Sequence, residues 1–134
     1  MNLGAVMDDL GAALDTIPGL RVFPYWADKV TPPAAVVTWP DPLTYDTAMV
    51  RGADTAELPV YVVVGKVDAR STRDRLAQYA DGSGTHSVKA AVESYAATAY
   101  DIARVNRVEF GGISIGGTEY LAATFYIDIT GKGA

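Results

Sequence analysis

The sequence predicts an α+β domain: a mainly antiparallel or mixed β-sheet with helices packed on one face and a long C-terminal β-hairpin. Three observations predict it. Apolar residues recur at helical spacing at the N-terminus and again in the middle of the chain. A β-branched run, residues 57–66, is apolar on both of its faces. The last third holds two β-rich runs that meet at Gly116-Gly117, a two-residue hairpin signal. At 134 residues the chain fits one domain, 1–134, large enough to fold without disulfides or a structural metal.

The elements follow in order. Leu3, Val6, Met7, Leu10, Leu14 and Ile17 form the stripe of a first helix, which Pro18-Gly19 ends. A short strand is expected at 20–23 and a second at 34–39, after Pro32-Pro33. Residues 40–55 read as a long connection with a short strand near Leu43 to Tyr45. In the strand at 57–66, Leu58, Val60, Val62 and Val64 share one face and Tyr61 and Val63 the other, as in a central strand covered on both sides. A second helix is expected over 71–80, with Ser71 and Asp74 at capping-box spacing and Leu76, Tyr79 and Ala80 facing inward. A third starts near Ser87, with Val88, Ala91, Val92 and Tyr95 as its stripe.

The hairpin register is set by its turn. Centring it on Gly116-Gly117 pairs Val108 with Phe125 and Phe110 with Ala123 on an apolar, inward side. Arg107 with Tyr126, Glu109 with Thr124 and Val105 with Asp128 fall on a polar side. Asn106 interrupts the alternation below residue 107, and Gly111-Gly112 suggests a bulge or bend.

Composition narrows the function. Cys is absent, which removes thiol nucleophiles and thiolate metal sites. The net charge of −5 disfavours general binding to nucleic acid, which needs clustered Lys and Arg. No apolar run approaches the length of a membrane span, and the N-terminus carries acids where a secretory signal carries bases. The expectation is a chain that stays in the compartment where it is made. No phosphate-binding glycine motif occurs.

Three groups of residues invite a functional reading, each beside a plainer one. His86, the one histidine, lies near Asp81, Ser83 and Ser87, so a Ser-His-Asp site is conceivable by residue type. Its members crowd one loop before a helix, where Ser and Thr serve as caps, and the capping reading is preferred. Asp8, Asp9 and Asp15 with Asp41, Asp46 and Asp54 could offer oxygen ligands, but no dense calcium-loop spacing is present. Arg70, Arg73 and Arg75 form a basic cluster that either is solvated and offset by Asp74 or faces an acidic neighbouring subunit. The 40–55 connection carries Leu43, Tyr45, Met49 and Val50, apolar tips of the kind that meet a partner.

Four stretches, MNLGAVMDDLGAALDTIPGLRVF, TPPAAVVTWPDPLTYD, DGSG followed by SVKAAVE, and GGTEYLAATFYIDI, together resemble the small tail terminator proteins of long-tailed phages that infect actinobacteria. The resemblance spans nearly the whole chain and carries no catalytic fingerprint. It implies a virion structural protein, assembled in the host cytoplasm, that forms a ring of six copies at the head-proximal end of the tail. That ring would stop tube polymerisation and dock the head. The implied partners are further copies of itself, the major tail tube protein and head–tail connector proteins. DNA would pass through the pore unbound; no membrane, cofactor, metal or catalytic residue is implied. Subunit or tube contacts are expected from Leu43, Tyr45, Met49, Val50, Arg107, Glu109 and Tyr126. Asp8, Asp9, Asp41, Asp46, Asp54 and Glu57 are candidates to line the pore, where acids repel phosphates. A neighbouring head–tail connector or tail completion protein is the alternative, a small hydrolase or a ligand-binding module the more distant ones.

Overall fold

A computed structural model describes residues 2–25, 31–45, 53–66, 70–115 and 117–132. The order is α1 (Leu3–Asp15), β1 (Arg21–Phe23), β2 (Ala34–Val37), β3 (Leu43–Thr44), β4 (Ala53–Lys66), α2 (Arg70–Ala80), α3 (Val88–Ser94), β5 (Ile102–Ile115) and β6 (Thr118–Lys132). The fold is α+β, as expected. Its six strands form one mixed sheet in the order β1-β2-β4-β6-β5, and β3 also pairs with β4. Among the described residues β1 and β2 run parallel and every other pair is antiparallel.

The core follows from the period-2 pattern of β4. Leu58, Val60, Val62 and Val64 point to the side where the helices pack and are buried with Val6, Leu10, Leu14, Leu76, Tyr79, Val88 and Val92. The β6 residues Ala123, Phe125, Ile127 and Ile129 extend that face. On the opposite side Val63 and Ala122 form a small second cluster with Ile113 and Tyr120. The connection after β2 is shorter than the sequence suggests, because β4 starts at Ala53 rather than at residue 57.

The helix ends are set by side chains. Asn2 accepts the Ala5 N–H to open α1, and Thr16 closes it through its own N–H and hydroxyl. Gly19 then turns the chain at φ +76°. Ser87 caps α3 by accepting the Ala90 N–H at 3.1 Å, as its position predicts. The capping box expected for α2 does not form. That helix begins at Arg70, so Ser71 lies inside the first turn, and Asp74 instead pairs with its neighbour Arg73 at 2.7 Å. The first turn of α2 also explains Gly65: a Cβ there would meet the buried Thr72 hydroxyl oxygen at 3.0 Å.

The hairpin keeps its expected register from Ile115↔Thr118 down to Arg107↔Tyr126. Gly117 has φ +82°, the conformation a primed turn asks of it; Gly116 lies outside the described residues. Below residue 107 the expectation fails. Asn106 is an extra residue with no partner, so Val105 faces Ile127 rather than Asp128. The insertion resets the alternation and turns Val105 and Ala103 onto the core side, where Val105 is buried. Gly111-Gly112 stays in register and holds no bulge. Phe125 and Ala123 are buried as expected, with Val108 and Leu121 packed at the margin of the core. Phe110 is not: its side chain is 62% exposed. It lies on the helix side of the hairpin, where the short helices above it leave its ring uncovered.

Candidate functional site

The side of the sheet away from the helices carries the most ordered polar array. Three adjacent strands build it: Glu57 from β4, Tyr126 from β6, and Arg107 and Glu109 from β5. Arg107 and Tyr126 are direct cross-strand partners, and Glu57 pairs with Asp128 one alternation further along. The Arg107 guanidinium lies 3.8 Å from the centre of the Tyr126 ring. It reaches Glu109 at 3.4 Å and Glu57 at 3.6 Å. The Tyr126 hydroxyl donates to the other Glu109 oxygen at 3.2 Å. Partial burial alone would lower the Arg107 pKa, but the bond to Glu109 and the charges of Glu57 and Glu109 outweigh it and raise it. Burial and the Glu109 carboxylate raise that of the Tyr126 hydroxyl. The array thus holds a fixed cation between two carboxylates, suited to recognition of a complementary surface.

The other expected contact residues scatter. Leu43 is half-buried and packs against the core through β3, while Tyr45 beyond it is 70% exposed. Met49 and Val50 lie outside the described residues, as does Asp46. The acids do not share one face. Asp8 is exposed on α1, and Asp9 accepts the Thr98 and Ala99 N–H groups at 3.1 and 2.9 Å, tying the segment after α3 to the first helix. Asp41 is exposed, and Glu57 belongs to the array just described. Asp54 is a correction: it is 4% exposed, because the alternation of β4 turns it to the same side as Ala56 and Leu58, and a buried carboxylate cannot line a pore wall.

The His86 loop does not assemble as a triad. The Ser87 hydroxyl donates to the Asp81 carbonyl at 2.5 Å while capping α3. The Asp81 carboxylate accepts the Ser83 N–H, and His86 Nδ1 lies 3.3 Å from the Thr85 hydroxyl with its ring edge-on to Tyr79. Each polar group is used locally, as caps and turns require. Among the described residues no group of three or more His, Asp or Glu side chains could hold a metal ion, and no helix is long and apolar enough to cross a membrane.

One feature escaped the reading of the sequence. Phe110 and Leu121 of the hairpin and Leu76, Ala77 and Ala80 of α2 line an apolar groove of about 480 Å³, with Arg73 and Asp81 at its rim. Its only sequence signal is an aromatic beside Gly111-Gly112, where the hairpin has no side chains to cover it.

A scan against protein-family models finds no match, and a search of the curated proteins finds none.

Proposed function

We propose that the chain is a non-catalytic assembly subunit, the tail terminator of a long-tailed phage, which closes the tail tube as a ring and presents the surface for head docking. The observation that carries the reading is the Glu57–Arg107–Glu109–Tyr126 array on the sheet face turned away from the described helices. Exposed ion pairs contribute about 0–1 kcal/mol to a monomer, so four side chains held across three strands are poorly explained as a stability device. Held in place beforehand, they would lose little rotamer freedom on binding and would select a partner by charge. The local use of Ser87, Asp81 and His86 supports the non-catalytic part of the reading. The acidic balance of −5 suits a ring through which DNA slides without being held.

The test is tube assembly. Tail tube protein polymerised with the purified chain should give tubes of limited length with density at one end. Tubes grown without it should be longer and open-ended. Electron microscopy that shows no effect on length and no end density, with the folded chain in excess, would refute the proposal. Density only on the head side of already closed tails would instead support the connector alternative.

A further inference from the structure

The arginines of α2 differ in what they meet. Arg73 is taken by Asp74 at 2.7 Å. Arg75 lines a separate pocket of about 290 Å³, between the end of α1, the approach to β2, one face of α2 and the turn before α3. Pro18 and Pro33 give that pocket apolar sides, and Arg75, Gln78, Tyr79 and His86 give it polar ones. Residues 75, 78 and 79 fall at the i, i+3, i+4 spacing of a single helix face, so α2 presents them together. Guanidinium, side-chain amide and phenol are all hydrogen-bond donors. His86 Nδ1 lies 3.3 Å from the Thr85 hydroxyl; where that hydroxyl donates, the neutral ring carries its proton on Nε2 and is a donor too. Among the described residues no Asp or Glu lines the pocket, in a chain with 16 of them. Arg75 makes no ion pair with any described residue. Its charge is felt inside: burial raises the pKa of the Tyr79 hydroxyl, and the guanidinium opposes that rise. The carbonyls at the end of α1 would repel an anion, but those of Ala13, Leu14 and Ile17 already accept the N–H groups of Thr16, Ile17 and Leu20.

We propose that this pocket binds a carboxylate. The Arg75 guanidinium offers two parallel N–H groups that match the two oxygens of a carboxylate. Gln78 and His86 add donors from the helix and from the turn across the pocket. One permanent cation balances one negative charge. A phosphate dianion would leave a charge uncompensated in a chain that already carries −5. Pro18, Pro33 and the Tyr79 ring suit a short apolar body behind the carboxylate. A small free acid and the C-terminal end of a peptide both carry this chemistry. The site uses none of the residues of the Arg107 array and stands or falls independently of the terminator reading.

His86 is the one histidine, so its imidazole C–H signals report on the pocket alone. Proton NMR follows them while the full chain is titrated, at one pH and fixed ionic strength, with four probes. These are propionate, an acetylated alanine tripeptide with a free C-terminus, the same peptide amidated, and inorganic phosphate. Propionate and the free-ended peptide should shift the signals saturably, with dissociation constants on the order of 1 mM. The amidated peptide should not. Arg75→Gln should weaken binding about tenfold or more, because the charge-assisted bonds are lost. Arg75→Lys keeps the charge without the fork and should fall between. Arg75 is exposed, so both variants should melt with the wild type. Arg70→Gln, on the same helix and outside this lining, should bind like the wild type. A free-ended peptide that binds about tenfold tighter than propionate identifies a chain end as the ligand, and comparable affinities identify a free acid. Four results would overturn the site: no saturation by either carboxylate, binding unchanged in Arg75→Gln, phosphate tighter than both carboxylates, or the amidated peptide as tight as the free one.

Discussion

Phe125 is 1% exposed and sits on β6 between the helices and the central strand, so its ring has no room to relax when removed. Phe125→Ala should lower the unfolding free energy by about 3–5 kcal/mol, a large share of the roughly 5–15 kcal/mol available to a domain. Urea denaturation measures it, and a loss below about 1 kcal/mol would mean the site collapses around the cavity. Tyr100 is the opposite case. Its hydroxyl is buried with no hydrogen-bond partner among the described residues. Burial first, and then the charges of Asp9 and Tyr95, push its pKa from 10.0 up to about 12. The unfolded chain releases that proton near pH 10 and the folded chain near 12, so this contribution is complete below pH 10 and is lost as the pH rises from 10 to 12. Tyr100→Phe removes both the unsatisfied hydroxyl and the titration. It should be at least as stable as the wild type at pH 7, and its urea midpoint should fall less between pH 9 and 11. Equal falls would show that Tyr100 does not titrate differently in the two states.

Among the elements, the hairpin shows how a single residue divides a strand. Above Asn106 the register follows from the two-residue turn, and below it the unpaired residue moves every side chain to the other face. Deleting Asn106 would place Val105 directly beside Arg107 and still opposite Ile127, so strict alternation holds with Val105 and Ala103 kept on the core side. The deletion and Asn106→Ala should therefore both unfold at nearly the wild-type urea concentration. A loss of about 1.5–3 kcal/mol on deletion, the worth of Val105 burial, would show that Val105 needs the bulge to reach the core. Asn106 is legible in the sequence as a break in alternation; that β5 rather than β6 absorbs the extra residue is not, because the alternation of one strand does not show how its partner is paired.

At the scale of the whole molecule, the sheet separates two jobs. The helix side holds the main core, and the opposite side holds the small Val63–Ala122 cluster and, beside it, the Arg107 array with the half-exposed Tyr61, Thr124 and Asp128. Arg107 and Glu109 are exposed while Glu57 and Tyr126 are half-buried, so Arg107→Glu should lower the melting temperature by no more than a few degrees. It should abolish tube capping, since like charges then face one another within the array and across any complementary surface. Scanning calorimetry and tube-length counts separate these effects. A variant that melts early and caps poorly would mark the array as structural. One that melts normally and caps normally would remove it from the contact surface.

The sequence by itself determined the elements and their inward faces wherever a period ran unbroken. The stripe of α1, the alternation of β4 and the turn-centred half of the hairpin needed only local spacing, because burial of one face fixes the phase of a helix or strand. It also marked Arg107, Glu109 and Tyr126 as one polar side, since register arithmetic places cross-strand partners. Only the tertiary structure decided what depends on neighbours distant in the chain. Glu57 joins that array because β4 lies beside β6, an adjacency no local pattern encodes. Asp54 is buried because β4 starts earlier than its apolar run and carries the alternation back to an acid. Phe110 follows the predicted face yet stands in solvent, because a strand's period says which way a side chain points, while the reach of the helices packed above it decides whether anything is there to meet it.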